Sequence, residues 1–504
     1  MRRAILYISF LVVTALVFIS ACTHKPQVQP AVLADGGFPD SVANILITQC
    51  ATAGCHNQAS YQLAAGLLLD NYAHLLAGSN FGAEVVAYST QFSDLLPYMN
   101  AYDSSDAMAN DPGHIAVYPT RQQYLTIKNW IAHGAPDKNG NIPFASNPDT
   151  RQKIYVAISS GCNQIAVIDA QSHLVMRYIT VGGPNNYNPH DVKVSSDGAF
   201  AYVSLYTGTE VQKIDTRTDS VIASTDLSAI TGGSIGYWSI INLSPMDTAI
   251  MVSGWTSPGF IASINTANMT VNTKMSVDIF TGGTSSFPLP HGIASNAAYD
   301  TFFAALQDGN VVNRFSFSPT IIKQVLVKGS VPILAGLTGA NQTPDPHQLQ
   351  MLPDYSKYFV TCQGTNEVRV MDAHTGKLLD SIPVGSYPQD MDISPSKGYI
   401  FVACYKDAAN PNGYGSVYVI DYNTDKVVDI LYGDFFAPHE MAVDEQDGLL
   451  FICSTNLGGN AHHAGLCGGP DGWYSVYDLN TLKPVDTKRY EVPQNPYTVS
   501  VRFK

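Results

Sequence analysis

One short strand pattern recurs seven times between residue 189 and the carboxyl end of the chain, and this repeat constrains the fold more than any other feature. The clearest copy begins at Pro189, and three further short alternating segments follow it at 200–204, 210–215 and 220–223. The residue after the Pro or Trp that opens each copy serves as an anchor, and the anchors are His190, Ser239, His291, His347, Gln389, His439 and Tyr497. Successive anchors lie 42 to 58 residues apart, a spacing typical of the four-stranded blades of a β-propeller.

The two ends of this region predict that the ring of blades closes. Segments 153–157, 164–169 and 176–179 have the pattern of three outer strands without an inner one, whereas 497–503 has the pattern of an inner strand alone. Pairing them completes a seventh blade and removes exposed sheet edges. The 40 Gly and 28 Tyr, with only 13% charged residues, suit short strands and turns. The sequence therefore predicts a mainly β fold, a seven-bladed β-propeller over 150–504.

Segments at 201–204, 358–361 and 413–421 resemble the YVTN family of extracytoplasmic propellers. The resemblance covers about 150–504. It implies a fold and says little about activity, because propellers serve many functions.

Ahead of the repeat, Cys50 and Cys55 are followed directly by His56 in a Cys-x4-Cys-His motif. Two thiols can add across the vinyl groups of haem, and an imidazole beside the second thiol can reach the iron. Four intervening residues instead of the usual two resemble a minority variant of the c-type haem site. Two alternatives remain open: a disulfide between Cys50 and Cys55 beside a chance His, and a structural metal turn.

The residues around this motif resemble the small c-type cytochrome domains of bacterial envelope lipoproteins. Segment 42–47 predicts a helix leading into the motif, and 119–135 resembles the closing helix of that family with its Trp-Ile-x-x-Gly-Ala ending. The resemblance covers about 38–142. It implies a small all-α cytochrome c-like domain with haem c attached to Cys50 and Cys55 and with His56 as the proximal iron ligand.

The distal iron ligand is not settled by the sequence. The family usually places a Met-Pro shortly before the closing helix, and this sequence contains no Met-Pro. His114 and Met108 are the candidates, and Met99 is less favoured.

The amino terminus predicts export. Arg2 and Arg3 precede an apolar stretch over 4–21, which is typical of a signal peptide over 1–22. Segment 19–22 resembles a lipobox, which implies lipidation of Cys22, and 23–37 has the composition of a flexible tether. We expect a lipid-anchored protein of the cell envelope that faces the periplasm or the outside, with the outer membrane favoured. The alternative is an ordinary signal or an uncleaved anchor with an incidental Cys.

Histidines cluster on one predicted face of the propeller. Four anchors are His (His190, His291, His347 and His439), and the long loop 457–472, predicted to open on the same face, adds His462 and His463. Neutral imidazoles are good ligands for copper, zinc or iron, so a funnel holding an additional metal or second cofactor is one hypothesis. The alternative is that Pro-His is a recurrent structural feature of blades in this family, and that the imidazoles form hydrogen bonds with backbone groups in the channel.

The remaining cysteines predict structural roles. Cys162 and Cys467 fall in loops of blades that become neighbours on closure, so we predict a disulfide between them. Cys362, Cys404 and Cys453 occupy matching positions on the second strands of three successive blades and are predicted to be small buried fillers.

The net charge and the motifs limit the classes of function that this chain can have. A net charge of −14 disfavours nucleic acid as a partner, and the sequence shows no basis for hydrolase or nucleotide chemistry. It predicts an envelope c-type cytochrome that exchanges electrons with a redox partner protein, while the propeller docks that partner or places a substrate near the haem. One alternative is an oxidoreductase that carries out its reaction in the His funnel and receives electrons from the haem. Another is a non-redox propeller that acts as a binding module.

Overall fold

The structure is a computed structural model in which residues 35–100, 119–146, 148–183, 187–256, 259–276, 289–317, 320–328, 344–456, 461–463, 465 and 467–503 are described. The predictions about the signal peptide, Cys22 and all but the end of the tether lie outside the described residues, as do those about Met108 and His114.

Helices occupy the part of the chain before residue 133. They are α1 (Asp40–Ile45), continued by a π-helical turn (Leu46–Cys50), a 3-10 turn (Tyr61–Leu63), α2 (Tyr72–Leu76), α3 (Leu95–Met99) and α4 (Arg121–Ala132). α4 begins with a capping box, in which the Thr120 hydroxyl accepts from the backbone N–H of Gln123 and the Gln123 side chain accepts from that of Thr120. Its apolar face, formed by Tyr124, Ile127 and Ile131, is buried. Within the described ranges, no helix has the length and apolarity needed to cross a bilayer.

The helical region has an apolar core of its own. Trp130 of α4 packs edge-on against Phe38 and Tyr72, with ring centroids 6.3 and 6.4 Å apart, and its indole N–H donates to Pro136 O at 2.9 Å. Cys50 packs against the same core. The core thereby fixes the start of the Cys-x4-Cys-His turn.

From residue 153 onward, the described residues form seven antiparallel sheets. In six of these sheets the strands follow one another along the chain, with the inner strand first. The first three are β4 (Pro189–Val194), β5 (Phe200–Leu205), β6 (Glu210–Asp215) and β7 (Ser220–Asp226); β8 (Trp238–Leu243), β9 (Ala249–Gly254), β10 (Phe260–Asn265) and β11 (Thr270–Ser276); and β12 (Leu289–Ser295), β13 (Phe302–Gln307), β14 (Val311–Phe317) and β15 (Thr320–Leu326). The next three are β16 (Pro346–Met351), β17 (Lys357–Cys362), β18 (Glu367–Asp372) and β19 (Leu378–Pro383); β20 (Ser386–Ser394), β21 (Tyr399–Lys406), β22 (Ser416–Asp421) and β23 (Lys426–Leu431); and β24 (Pro438–Asp444), β25 (Leu449–Ser454), β26 (Gly472–Asp478) and β27 (Lys483–Pro484), with β28 (Tyr490–Val492) also paired to β26.

The seventh sheet joins the two ends of the propeller. Its inner strand is β29 (Pro496–Arg502), which pairs with β1 (Lys153–Ile158), and β2 (Gln164–Asp169) and β3 (Val175–Thr180) complete it. Lys153 lies opposite Arg502 in the register of this closing pair. Each inner strand contacts the inner strands of the two neighbouring blades. Around the ring their order is β4, β8, β12, β16, β20, β24 and β29, and β29 contacts β4 again. The predicted seven-bladed propeller is confirmed.

The turn between the third and fourth strands has the same side-chain to backbone hydrogen bond in several blades. Asp215, Asp372 and Asp478 each end a third strand, and each carboxylate accepts from a backbone N–H two residues later at 2.8 to 3.0 Å. Four residues after Asp215, Asp219 has a φ of +49°, a left-handed conformation that Asp tolerates. Short polar residues at these positions make the tight turns that the blades need.

Two of the propeller cysteines form a disulfide, and three are buried free thiols. Cys162 and Cys467 form a disulfide with a Cα–Cα distance of 5.4 Å, which links the closing blade to the blade before it. Cys362, Cys404 and Cys453 are buried thiols in the sheets, as the sequence pattern predicts.

Candidate functional site

The Cys-x4-Cys-His motif folds back on itself after α1. The backbone N–H of His56 donates to Cys50 O at 3.1 Å, and that of Cys55 donates to Thr52 O at 3.0 Å. This turn brings Cys55 and His56 back beside the helix end that carries Cys50. Both cysteines are half-buried free thiols, so the alternative disulfide between them is not formed in this structure.

Burial, followed by repulsion from Cys55, raises the pKa of the Cys50 thiol to about 11. Burial therefore favours the neutral thiol of Cys50. Cys50, Cys55 and His56 do not bring three ligand atoms within 4.8 Å of one another. A pair of neutral thiols in one turn is instead suited to forming thioethers.

The imidazole of His56 is oriented by a backbone carbonyl. Its Nδ1 lies 3.0 Å from Leu67 O, and the N–H of Leu69 donates to His56 O at 3.0 Å. Since a carbonyl only accepts, Nδ1 carries the proton and the lone pair is on Nε2. Metal-ligating histidines are commonly oriented in this way, by donation of one ring N–H to a backbone oxygen.

An unusually exposed apolar side chain lies in the segment between His56 and Leu67. Leu63 is 94% exposed, the highest value among the large hydrophobic residues that the structure describes. An apolar macrocycle bound beside His56 would give such a side chain a partner. The two thiols, the oriented imidazole and the exposed Leu63 side chain therefore fit a covalently attached haem.

The described residues include one of the three proposed distal ligands. Met99, at the end of α3, is 3% exposed and packs in the helical core with Leu95 and Leu96. The choice among Met99, Met108 and His114 stays a prediction.

Four of the predicted funnel imidazoles meet at the centre of the propeller. His291 stacks on His347 with ring centroids 4.0 Å apart, and His190 and His439 lie 5.8 and 5.9 Å from this pair. Tyr497, the anchor of the closing strand, stacks on His439 at 3.5 Å. The repeat thus places equivalent anchors in one ring of aromatic side chains.

These four rings are buried and uncharged. Burial lowers the pKa of His291 to about 4 and that of His439 to about 3, and it lowers those of His190 and His347 well below the usual value. The Nδ1 atoms of His291 and His347 face the carbonyl oxygens of the next anchors, His347 and Gln389, at 3.3 and 3.4 Å. For His291 and His347 this arrangement is the one expected if the imidazoles bond backbone groups in the channel, whereas Nδ1 of His190 and both ring nitrogens of His439 are buried without a hydrogen bond.

His462 and His463 do not join that ring but contact the helical region. His462 stacks on Phe81 with centroids 3.9 Å apart, and the backbone N–H groups of both histidines donate to Glu491, at 2.8 Å each. Glu491 belongs to β28, which pairs with the third strand of its blade, so it lies in the outer part of that blade. The six predicted funnel imidazoles therefore divide into a central group of four and a peripheral pair.

His463 lies in the only group of three or more metal-ligand side chains within 4.8 Å of one another in the part of the chain that the structure describes; its other members are Asp94 and Asp471. Sequence reasoning missed both aspartates, and also Glu84 and Glu491 beside them. The adjacent His462 and His463 drew attention to the loop, but nothing in the sequence connects residues near 84–94 with residues near 463–491.

Comparison with known proteins supports the fold only. No protein-family model and no curated protein matches the chain. A functionally unknown protein from Desulfotomaculum acetoxidans DSM 771 is similar in structure, with a TM-score of 0.51 and 14% identity, over 70% of this chain and 99% of that one. Kuenenia stuttgartiensis hydrazine synthase is a more distant neighbour, with a TM-score of 0.46 and 15% identity over 64% of this chain and 91% of that one.

Proposed function

We propose that this protein is a c-type cytochrome of the cell envelope, in which the helical region binds haem covalently and transfers electrons. The observation that carries the proposal is the His56 ring, held by Leu67 O at 3.0 Å in a turn that also presents two free thiols. Cys50 and Cys55 would attach the haem, and His56 Nε2 would be the proximal iron ligand. When bound, haem supplies an iron that accepts and releases one electron.

The residues of the chain have separate tasks in this proposal. The helical core fixes Cys50, the backbone bond from His56 to Cys50 sets the size of the turn, and Leu67 O holds the imidazole in one tautomer. The distal ligand would come from His114, Met108 or Met99.

The propeller is proposed as the platform that docks a redox partner protein of the envelope or places a substrate near the haem. A closed ring of seven sheets is rigid and offers loops for recognition. The alternative, an oxidoreductase with a cofactor in the His funnel, has less support, because the four central imidazoles do not bring three nitrogen atoms within 4.8 Å of one another.

The proposal includes export and a lipid anchor on Cys22. The disulfide between Cys162 and Cys467 supports an oxidising compartment, since disulfides persist mainly outside the cytoplasm.

We expect the full chain, produced in a bacterium that matures c-type cytochromes, to show a haem spectrum that changes reversibly on reduction and oxidation. His56→Ala removes the proximal imidazole, so the spectrum should shift to that of iron with a lost or replaced ligand, and the midpoint potential should change with it. His74→Ala is the matched control, because His74 lies in the same region on α2 with its Nδ1 facing Asp70. A His56→Ala spectrum identical to that of the parent would contradict the assignment.

A further inference from the structure

The helical region meets the propeller along a contact that we name the seam. Phe81, Glu84, Asp94 and Tyr98 form its helical side, and His462, His463, Asp471 and Glu491 form its propeller side. Phe81 and Tyr98 both pack against the two histidines, and the Tyr98 hydroxyl donates to His462 O at 3.2 Å. The seam therefore holds the backbone around His463 in a defined position.

His463 is enclosed by carboxylates. Its side chain is 1% exposed, its Nδ1 lies 3.2 Å from Glu491 and 3.4 Å from Asp94, and its Nε2 lies 3.6 Å from Glu84. Asp471, which precedes β26 and is 1% exposed, has a carboxylate oxygen within 4.8 Å of a ring nitrogen of His463. Four buried carboxyl groups thus surround a single imidazole.

Several polar atoms at this place lack hydrogen-bond partners. Both ring nitrogens of His463 and Oδ1 of Asp94 are buried without a hydrogen bond. Carboxylates approach these ring nitrogens at 3.2 to 3.6 Å but outside hydrogen-bond geometry, so the nitrogens are not fully satisfied by the protein alone. Since His463 is enclosed from several sides, its nitrogens point into the cluster and not to solvent.

The carboxylates around His463 favour a positive charge at the centre of the cluster. Carboxylates approach both ring nitrogens of His463 within 3.6 Å, and all three of them, Glu84, Asp94 and Glu491, are buried. A cluster with this much negative charge stabilises positive charge at its centre, either as a proton on the imidazole or as a metal ion.

The geometry points to the metal ion. We propose that Asp94, His463 and Asp471 bind a divalent transition-metal ion of the zinc class at the seam. Their ligand atoms lie within 4.8 Å of one another, and ligands about 2.0–2.2 Å from one ion are roughly 3–4.5 Å apart, so small side-chain movements suffice. Imidazole together with carboxylates suits Zn²⁺ and similar ions, whereas Ca²⁺ and Mg²⁺ prefer oxygen ligands alone.

The neighbouring carboxylates provide the outer support that such sites need. With Nδ1 on the metal, Nε2–H of His463 faces Glu84, and an imidazole braced by a carboxylate is a better ligand. Glu491 accepts the backbone N–H groups of His462 and His463 and so fixes the loop. The metal would connect the helical region, through Asp94, to the propeller, through His463 and Asp471. This inference does not depend on haem.

The test measures zinc in the full chain, because haem contributes iron but no zinc. After treatment with EDTA and titration with Zn²⁺, the parent should bind one tight equivalent by calorimetry and retain it through desalting in elemental analysis. His463→Gln and Asp94→Asn should each weaken this binding by more than about 10-fold, because even the residues that support a metal ligand contribute 10- to 100-fold to affinity. His133→Gln, which replaces an exposed histidine beyond α4, should bind as the parent does. A parent without stoichiometric zinc, or variants that bind it equally well, would overturn the proposal.

A second measurement on the parent alone covers the case in which the variants do not fold. Removing the metal with EDTA should lower the thermal midpoint of the full chain, and equimolar Zn²⁺ should restore it, since a ligand bound only by the folded state stabilises that state. A midpoint unaffected by EDTA and by Zn²⁺ would also overturn the proposal.

Discussion

Deleting residues 496–504 is expected to abolish the cooperative folding of the propeller. The deletion removes β29 and leaves the inner edge of β1 unpaired, so that the seventh blade has no inner strand. It also breaks the contacts of β29 with β24 and β4 that close the ring. An open sheet edge in the middle of a propeller invites aggregation. We expect insoluble protein, or soluble protein without a sigmoidal unfolding transition in urea followed by circular dichroism.

A matched pair of substitutions tests the same point within the full chain. Val499→Asp places a charge on the closing strand at a position that is 2% exposed, and we expect it to destabilise the fold by about 4 kcal/mol or more. Val428→Asp makes the same change on the outer strand β23, where the side chain is 49% exposed, and should cost less than about 1 kcal/mol. Equal losses from the two variants would show that closure by β29 has no special importance.

Lys153→Met is expected to lower the free energy of unfolding by about 3–5 kcal/mol, because it leaves buried carboxylates without their ammonium partner. Lys153 is fully buried, and its Nζ lies 2.7 Å from Asp219 and 3.3 Å from Asp149. Asp219 belongs to the blade of β4–β7, so this pair joins the closing blade to the next one. Arg177 lies 3.3 Å from both carboxylates, but it is 26% exposed and cannot replace the lost charge in full.

Lys426→Met is the control for the lysine substitution. Lys426 pairs with Asp380 at 3.4 Å, but its side chain is 72% exposed, so we expect a loss within about 1 kcal/mol. Urea titration of both variants measures the difference. A Lys153→Met loss no larger than that of Lys426→Met would mean that the buried pair does not hold the two blades together.

The fold could be predicted largely from the sequence because a propeller repeats one unit. Each copy shows an inner strand that opens with Pro or Trp, and the unmatched strands at 153 and 497 show where the ring closes. Closure also makes the blades that carry Cys162 and Cys467 neighbours, which is why their pairing could be suggested from the sequence. Repetition turns distant contacts into predictable ones.

The candidate sites were predictable only in part, for a physical reason. The Cys-x4-Cys-His motif is local, so its residues could be identified, and the four anchor imidazoles follow the repeat. The seam is formed by docking the helices on the propeller, and docking leaves no periodic pattern in the sequence. Thus Asp94 and Glu84 could not be connected with His463. For the same reason the loop histidines were expected over the funnel, whereas Phe81 and Glu491 hold them at the periphery.

The most direct test of the account is whether haem is covalently bound to Cys50 and Cys55. The full chain should be produced with its own amino terminus in a bacterium that matures c-type cytochromes, denatured, and analysed by haem stain on a gel and by intact mass. We predict one haem per chain in the parent and in Cys404→Ala, which removes a buried propeller thiol, and none in the Cys50→Ala/Cys55→Ala variant. A parent without covalent haem, or a double variant that keeps it, would contradict the account.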